Sequence, residues 1–405
     1  MSEATSRNID PDRIDGTGYP RAFLVEAGAP SPVVLGAGPA RDVFRVEARL
    51  MGSAGHQKEM LVTEGTGGRK WRLVSDEGPA LKGTDLAPYP LAFFNAGLVA
   101  DFFNRAIGAA RQRGTTLPIE ALRLTNRYQF TGSFFRGTGQ GSAQPADLAL
   151  RTTVGRDRAE IDAIVAHALH ASPAHVAMRE VLANTFGLSV NGQQIPVTRV
   201  KASTNAREAE PFAPGTAPLS PLTGWHEREE LIGRFDPGPD APPPRVASAE
   251  GTVAIELAGT GALDAGSKDA LIATMVEARF PGSRYHFLSD ENPGPEAIAP
   301  SGLAYLCAGI AFCYMTQFAR YIEHRKLKVD SLKLVQTIPF RLDETAGCEG
   351  LQGGIEPVDT QVFMQSHESD ETMQHLLEIA ENTCYLHAAL RSALPASVTV
   401  AIAER

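Results

Sequence analysis

The chain repeats itself, and a repeat constrains the fold strongly, because both copies must bury their apolar faces in the same way. Ala87-Pro88-Tyr89-Pro90-Leu91-Ala92 returns as Ala299-Pro300-Ser301-Gly302-Leu303-Ala304, an offset of 212 residues. In that register Ala96-Gly97-Leu98 faces Ala308-Gly309-Ile310, and Asp101 faces Cys313. Residues 117–124 match 327–334 at an offset of 210, a two-residue slip in the connecting loop. The offset of 212 is back where Ile161, Ile164, Val165, Ala168 and Ser172 meet Met373, Leu376, Leu377, Ala380 and Cys384. That spacing is the apolar stripe of an amphipathic helix. His175 then pairs with His387 and Arg179 with Arg391, while Gly68-Arg69 followed by Ser75-Asp76-Glu77 echoes Ser283-Arg284 followed by Ser289-Asp290-Glu291. A duplicated domain is the expectation.

Composition places the boundary. Residues 206–245 are rich in proline (AREAEPFAPGTAPLSPLTG, then FDPGPDAPPPR) and read as a linker or extended arm without strand or helix periodicity. The halves then span roughly 30–205 and 246–405. Each reads the same way: short strands (32–35 and 43–50; 252–257), a long apolar helix (89–111; 302–325), further strands (121–130; 331–340 and 360–365), a second helix (157–184; 369–392) and a closing strand (188–190; 398–402). Asp157-x-x-Glu160 has the form of a capping box, and Ser369-x-x-Thr372 keeps the cap without its reciprocal Glu. The class is α+β, with antiparallel sheets wrapped around long buried helices.

With 43% apolar and 21% charged residues among 405, the chain can bury a core. A net charge of −9 and the lack of a basic stripe argue against nucleic acid as a partner. The longest apolar run, 302–315, falls short of the ~20 residues that cross a bilayer. The polar, acidic N-terminus lacks the apolar core of a signal peptide, so a cytoplasmic location without membrane attachment is expected. The four cysteines (Cys307, Cys313, Cys348 and Cys384) all lie late in the chain, with no CxxC or HExxH spacing, so neither a disulfide scaffold nor a zinc site is expected. They are inert core residues or reactive thiols.

Cys313 lies inside the apolar helix CAGIAFCYMTQFARYIEHRK, and Cys384 lies on the apolar face of the second helix, running into CYLH. This arrangement resembles the OsmC/Ohr family, whose first helix carries a pattern like NPxxLxxAxxxxC and whose second carries CPxx. Here Gly302-Leu303-Ala304-Tyr305-Leu306 leads to Cys313, and Cys384-Tyr385-Leu386-His387 stands at the second motif. The resemblance covers both halves. It implies an intertwined dimer, built here within one chain as a pseudo-dimer of two OsmC-like halves, with further dimerisation open. It also implies a thiol peroxidase without cofactor or metal. Cys313 would attack an organic hydroperoxide and become a sulfenic acid, Cys384 would resolve it to a disulfide, and a dithiol reductant would restore both. Because only the thiolate attacks, a buried thiol needs a cation nearby. The family draws an Arg from the N-terminal sheet region, which points to Arg69 or Arg284, with Arg69 favoured if the halves are swapped. The family's peroxidases pair that Arg with a Glu where this chain has Leu303, so Glu77, Glu291 or Glu296 is expected to take its place. Half one, with Asp101 and Ser172, is a degenerate half without thiols, which leaves one site per chain.

Other residues read more plainly. Cys307 is turned away from Cys313 on the helix and packs, and Cys348 sits in an exposed glycine-rich loop. Arg69 and Arg284, each followed by Ser-Asp-Glu, also fit surface ion pairs. The counterpart of His387 in half one is His175, which suggests a shared structural role. Asp101, if buried, needs a partner such as Arg105. His167, His170 and His175 suggest a solvated helix end rather than a metal site, and GTGQG (137–141) lacks the setting of a phosphate loop. Two rival functions remain open: a thiolate attacking carbon or sulfur of a specific metabolite, and a non-catalytic binding protein.

Overall fold

The computed structural model describes residues 10–27, 41–52, 56–65, 68–134, 136–153, 157–213, 215, 218–223, 230–237, 253–264, 271–292, 296–344 and 351–402. The expected strand at 32–35, Thr252 and Cys348 lie outside them. The first half runs α1 (Ile14–Thr17), β1 (Ala22–Glu26), β2 (Arg41–Leu50), β3 (Lys58–Glu64), β4 (Arg69–Ser75), α2 (Pro90–Gln112), β5 (Ile119–Thr131), β6 (Gln140–Ala143), β7 (Asp147–Thr152), α3 (Arg158–Ala171), α4 (Pro173–Arg179), β8 (Thr185–Val190) and β9 (Gln193–Ile195). The second runs β10 (Ile232–Phe235), β11 (Val253–Leu263), β12 (Ile272–Ala278), β13 (Arg284–Ser289), α5 (Gly302–Arg325), β14 (Val329–Glu344), β15 (Leu351–Ile355), β16 (Asp359–Ser366), α6 (Asp370–Thr383), α7 (Tyr385–Leu390) and β17 (Ser397–Ile402). From β1 to β8 and from β10 to β17, α-helices and strands follow in the same order.

Each sheet takes strands from both halves. One is ordered β1-β4-β3-β2-β14-β16-β8-β9, with β15 beside β14; the other is β10-β13-β12-β11-β5-β7-β17, with β6 beside β5. The seams are antiparallel: β2 runs against β14 from Arg49 opposite Lys333 to Arg41 opposite Arg341, and β11 against β5 from Val253 opposite Phe130 to Gly261 opposite Leu122. The pairs β16–β8 and β17–β7 are parallel, a departure from the all-antiparallel expectation. They join strands distant in sequence, so no hairpin dictates their direction.

Helices α2 and α5 pack between the sheets. Each is buried along most of its length, α2 from Pro90 to Phe103 and α5 from Gly302 to Ala319, and is mostly apolar there, as a helix covered all round must be. Helix α5 has the length and apolarity of a membrane span, and its most apolar window is wholly buried inside the protein. The two helices meet at Gly97 and Gly309, each other's counterparts in the repeat. A Cβ on Gly97 would lie 2.6 Å from the Leu306 nitrogen, and one on Gly309 2.7 Å from Phe94 Cβ. Only glycine permits backbones this close.

Three expectations need correction. Strand β1 begins before residue 30 and pairs with β4, so the first half starts earlier. Strand β10 lies within the proline-rich stretch and pairs with β13, so that stretch is not all linker. The second helix of each half is not continuous. It breaks at Ser172 (φ −86°, ψ 108°) and at Cys384 (φ −73°, ψ 117°), and each residue caps the short helix that follows. Pro173 enforces the first break, because the residue before proline avoids helical backbone. The second persists with Tyr385 in the proline's place.

Candidate active site

Cys313 lies midway along α5, 2% exposed, and lines a cavity of about 290 Å³. Thr316, Gln317 and Arg320 line it from the same helix, at the spacing of one helical face. The walls are largely apolar and come from both halves: Tyr89 and Leu91 at the start of α2, Phe130 on β5, Ile255 on β11, and Phe280. Cys384 sits behind Cys313, fully buried, and its thiol donates to the Cys313 sulfur at 3.5 Å. The break at Cys384 makes this possible: with the helix interrupted, the sulfur both caps α7, accepting from the His387 N–H at 3.5 Å, and faces α5. Burial pushes the Cys384 thiol well above its ordinary pKa, and the hydrogen bond to Cys313 adds to the push.

On another wall a buried cation and carboxylate face the same helix. Lys58 on β3, 0% exposed, donates to Thr316 Oγ1 at 2.8 Å and to Glu77 Oε1 at 3.2 Å, and Thr316 donates to that same oxygen. Glu77 lines the cavity. Arg69 is elsewhere: it binds Glu64 at 2.8 Å and the Asn292 carbonyl at 3.1 Å, while Glu64 accepts from the Ser301 N–H that opens α5. Arg284 donates to the Asp236 carbonyl at the edge of its sheet. Neither Arg lines the cavity; among the described residues the cations that do are Arg279 and Arg320, and Lys58 reaches the same face of α5 through Thr316. Glu291 accepts from the Gly302 N–H at 2.7 Å and belongs to the Asp101 region. Burial, then Asp101, pushes its carboxyl up to about 7. Of the three expected glutamates, Glu77 is the one at the cavity, and Glu296 is exposed. Lys58 escaped sequence reasoning because it sits alone on a strand far from both motifs. The spacing of Cys313, Thr316, Gln317 and Arg320 was a usable signal.

In the first half Asp101, fully buried, accepts from Ser172 Oγ at 2.5 Å and from the Ala174 N–H at 3.1 Å, and it pairs with Arg105 at 3.3 Å as expected. Ser172 Oγ also meets His175 Nδ1 at 3.0 Å. The solvated helix end therefore holds for the exposed His170 but not for His175, which is buried in the core. Its counterpart His387 is buried edge-on against Tyr314 at 4.5 Å. Burial lowers His175 to about 4 and His387 to about 3. Among the described residues, no three His, Cys, Asp or Glu side chains come together to hold a metal ion.

The OsmC-like protein family model matches residues 294–399. An uncharacterized protein of Haloferax volcanii is 32% identical over 101 residues, 25% of this chain and 70% of its own length. Among solved structures, an OsmC-like hydroperoxide resistance protein from Jannaschia sp. CCS1 aligns at 22% identity over 34% of this chain and 87% of its own, with a TM-score of 0.22. An OsmC-like protein from Mycoplasma pneumoniae aligns at 15% identity over 36% and 94%, with a TM-score of 0.25. The chain belongs to the OsmC-like family.

Proposed function

We propose that this chain is a thiol peroxidase for organic hydroperoxides, with one site per chain built across the two halves of an internally duplicated pseudo-dimer. The observation that carries the reading is the placement of the thiols: Cys313 lines an apolar cavity, and Cys384 waits 3.5 Å behind it, out of the cavity.

The Cys313 thiolate attacks the terminal oxygen of ROOH. The O–O bond breaks, the alkoxide takes a proton and leaves as ROH, and Cys313 becomes a sulfenic acid. The Cys384 thiol then attacks that sulfur, an S–S bond forms and water leaves, carrying the thiol's proton. The sulfurs must close from 3.5 Å to about 2 Å. An external dithiol reduces the disulfide by exchange. The Lys58–Glu77–Thr316 cluster meets α5 one helical turn from Cys313 and is a buried, fixed charge arrangement. It takes the part that the family resemblance assigned to an Arg and a Glu.

The test is to give the reduced protein one equivalent of an alkyl hydroperoxide and follow peptide masses. Two hydrogens should be lost within seconds and map to Cys313 and Cys384. In Cys384→Ser a sulfenic acid should accumulate at Cys313 and be trapped by dimedone. Thiols still reduced after minutes in excess peroxide would overturn the reading.

A further inference from the structure

We propose that Tyr128 is the hydrogen-bond donor that holds Cys313 as a thiolate; this rests on the reading of Cys313 as the attacking thiol. Of the four tyrosines that are 1% exposed or less, three use their hydroxyls in the fold. Tyr285 donates to Asp85, Tyr305 to the Leu288 carbonyl at 2.7 Å and Tyr314 to the Leu377 carbonyl at 3.4 Å. The fourth is Tyr128, whose hydroxyl has no hydrogen-bond partner among the described residues. A buried phenol usually finds a partner, and leaving its hydroxyl without one costs stability.

This hydroxyl stands at the thiols. On β5 the buried residues alternate as Leu122, Leu124, Asn126, Tyr128 and Phe130, and Phe130 is a wall of the Cys313 cavity. The Tyr128 ring lies 5.7 Å from that of Tyr385, the residue after Cys384. Burial pushes the phenol's pKa well above its ordinary value, and Cys313 and then Cys384 add to the push, so Tyr128 keeps its proton and serves as a donor. The repeat points the same way. At the offset of 210 that relates 117–124 to 327–334, Tyr128 corresponds to Ile338, which is 0% exposed. Helix α7 packs on β5 as α4 packs on β14, so the strand beside the thiols carries a phenol and the strand beside Ser172 a hydrocarbon.

A neutral thiol is a weak acceptor and a thiolate a strong one. The phenol therefore gains its partner when Cys313 ionises, and a hydrogen bond made to the charged form favours that form. Cys384 is a second donor, its thiol 3.5 Å from the Cys313 sulfur. The charges nearby are matched or further off. Lys58 on β3 reaches α5 through Thr316 and pairs with Glu77 from the loop after β4, and Arg279, just past β12, pairs with Glu256 at 3.1 Å. Arg320 stands about two turns along α5 from Cys313, bound to Gln317. Tyr89, at the start of α2, and Tyr385 are the other phenols of the cavity. A neutral donor from β5 stabilises the sulfur's charge without burying a further ion.

The experiment follows alkylation of Cys313 by iodoacetamide against pH in the full chain, read from peptide masses. At pH 7 Tyr128→Phe should react at least about tenfold more slowly than the parent, the effect of one hydrogen bond to a charged group. The two rates should converge as pH rises toward 10, where hydroxide ionises the thiol in both. Because phenylalanine keeps the ring and removes only the unpartnered hydroxyl, the urea midpoint of the reduced variant should be no lower than the parent's. Superimposable pH profiles would overturn the proposal. So would slowing by one factor at every pH, or a lower urea midpoint, since either would make Tyr128 a residue of the fold. Consumption of an alkyl hydroperoxide at pH 7 should fall by the same factor as alkylation. A shifted alkylation profile with no peroxide consumed by either protein would sink the peroxidase reading and leave Tyr128 its role. Rapid consumption by both proteins at equal rates would do the reverse.

Discussion

Asp101 and Cys313 occupy the same turn of corresponding helices, and Ser172 and Cys384 the same break before a short helix. Both pairs touch, at 2.5 Å and 3.5 Å. In the first half Asp101 uses its oxygens on Ser172, Ala174 and Arg105, so the contact is a clasp that ties α2 to α4. In the second half the Cys384 sulfur caps α7, no charged group among the described residues joins the pair, and the Cys313 thiol faces a cavity. Their surroundings differ in the same sense. Lys58 pairs across its sheet with Ser75, as Ile272 does with Ser289, so the cation's counterpart is apolar. At the repeat offset, Thr316 and Arg320 correspond to Asn104 and Gly108. One backbone geometry thus serves either as a structural clasp or as a reactive pair, and a few side chains decide which.

The largest expected contrast is in activity. Cys313→Ser should lower peroxide consumption at least ~1000-fold, the scale of losing a nucleophile, whereas Ser172→Ala should leave the folded enzyme's rate within about twofold. Comparable losses would mean that the first half takes part in the chemistry. The contrast reverses in stability. Asp101→Ala removes a buried anion whose partners stay behind, and should cost about 3–5 kcal/mol in urea unfolding. Cys313→Ala deletes one sulfur beside a cavity and should cost roughly 1 kcal/mol. Equal costs would break the distinction between clasp and reactive pair.

The two long helices were legible because apolar periodicity is a property of the sequence itself. Helix α5 falls on the expected 302–325 because it is buried on every side, and Ser301 caps its start. Most sheet strands were not legible. β3, β4, β12 and β13 alternate weakly, and their partners lie across the chain. β10 hides among prolines, because four residues at a sheet edge need no strong pattern. Cys313 and Cys384 were singled out by their places on the two helices and by the family resemblance. The cation was not, because which strand faces α5 follows from the exchange of strands between halves, and a sheet register is written in no single segment. That is how Lys58, rather than Arg69 or Arg284, came to stand beside Thr316.

Lys58 offers the next test, of about 3 kcal/mol. Lys58→Met leaves Glu77 buried without its cation and should destabilise by about that much. The double variant Lys58→Met/Glu77→Leu removes both charges and should recover stability to within about 1 kcal/mol of the parent, since buried pairs often exchange for apolar packing at little net loss. Peroxide consumption should stay at least about tenfold low in both variants. Recovery of the rate along with stability would show that the pair serves only the fold.

The smallest effect concerns what the halves still share. His175 and His387 are both buried and neutral, held down to about 4 and about 3 by burial. An unfolded imidazole takes a proton below about 6.5, and the folded ones do not until those lower values, so unfolding takes up protons and acid favours it. The stability each contributes is therefore complete above about pH 6.5 and is lost as pH falls toward its folded value, at up to about 1.4 kcal/mol per pH unit. His175→Phe and His387→Phe should each remove that slope between about pH 6 and 4.5, by the same amount, whatever each does to stability at pH 7. Below about pH 4 only His387 should still contribute. A slope that changed in one variant alone would mean that the second ring is already charged in the folded protein, and that the halves have diverged in their cores as well as in their sites. Equal slopes would mean that the two cores are still alike at these rings, whatever separates the halves at their sites.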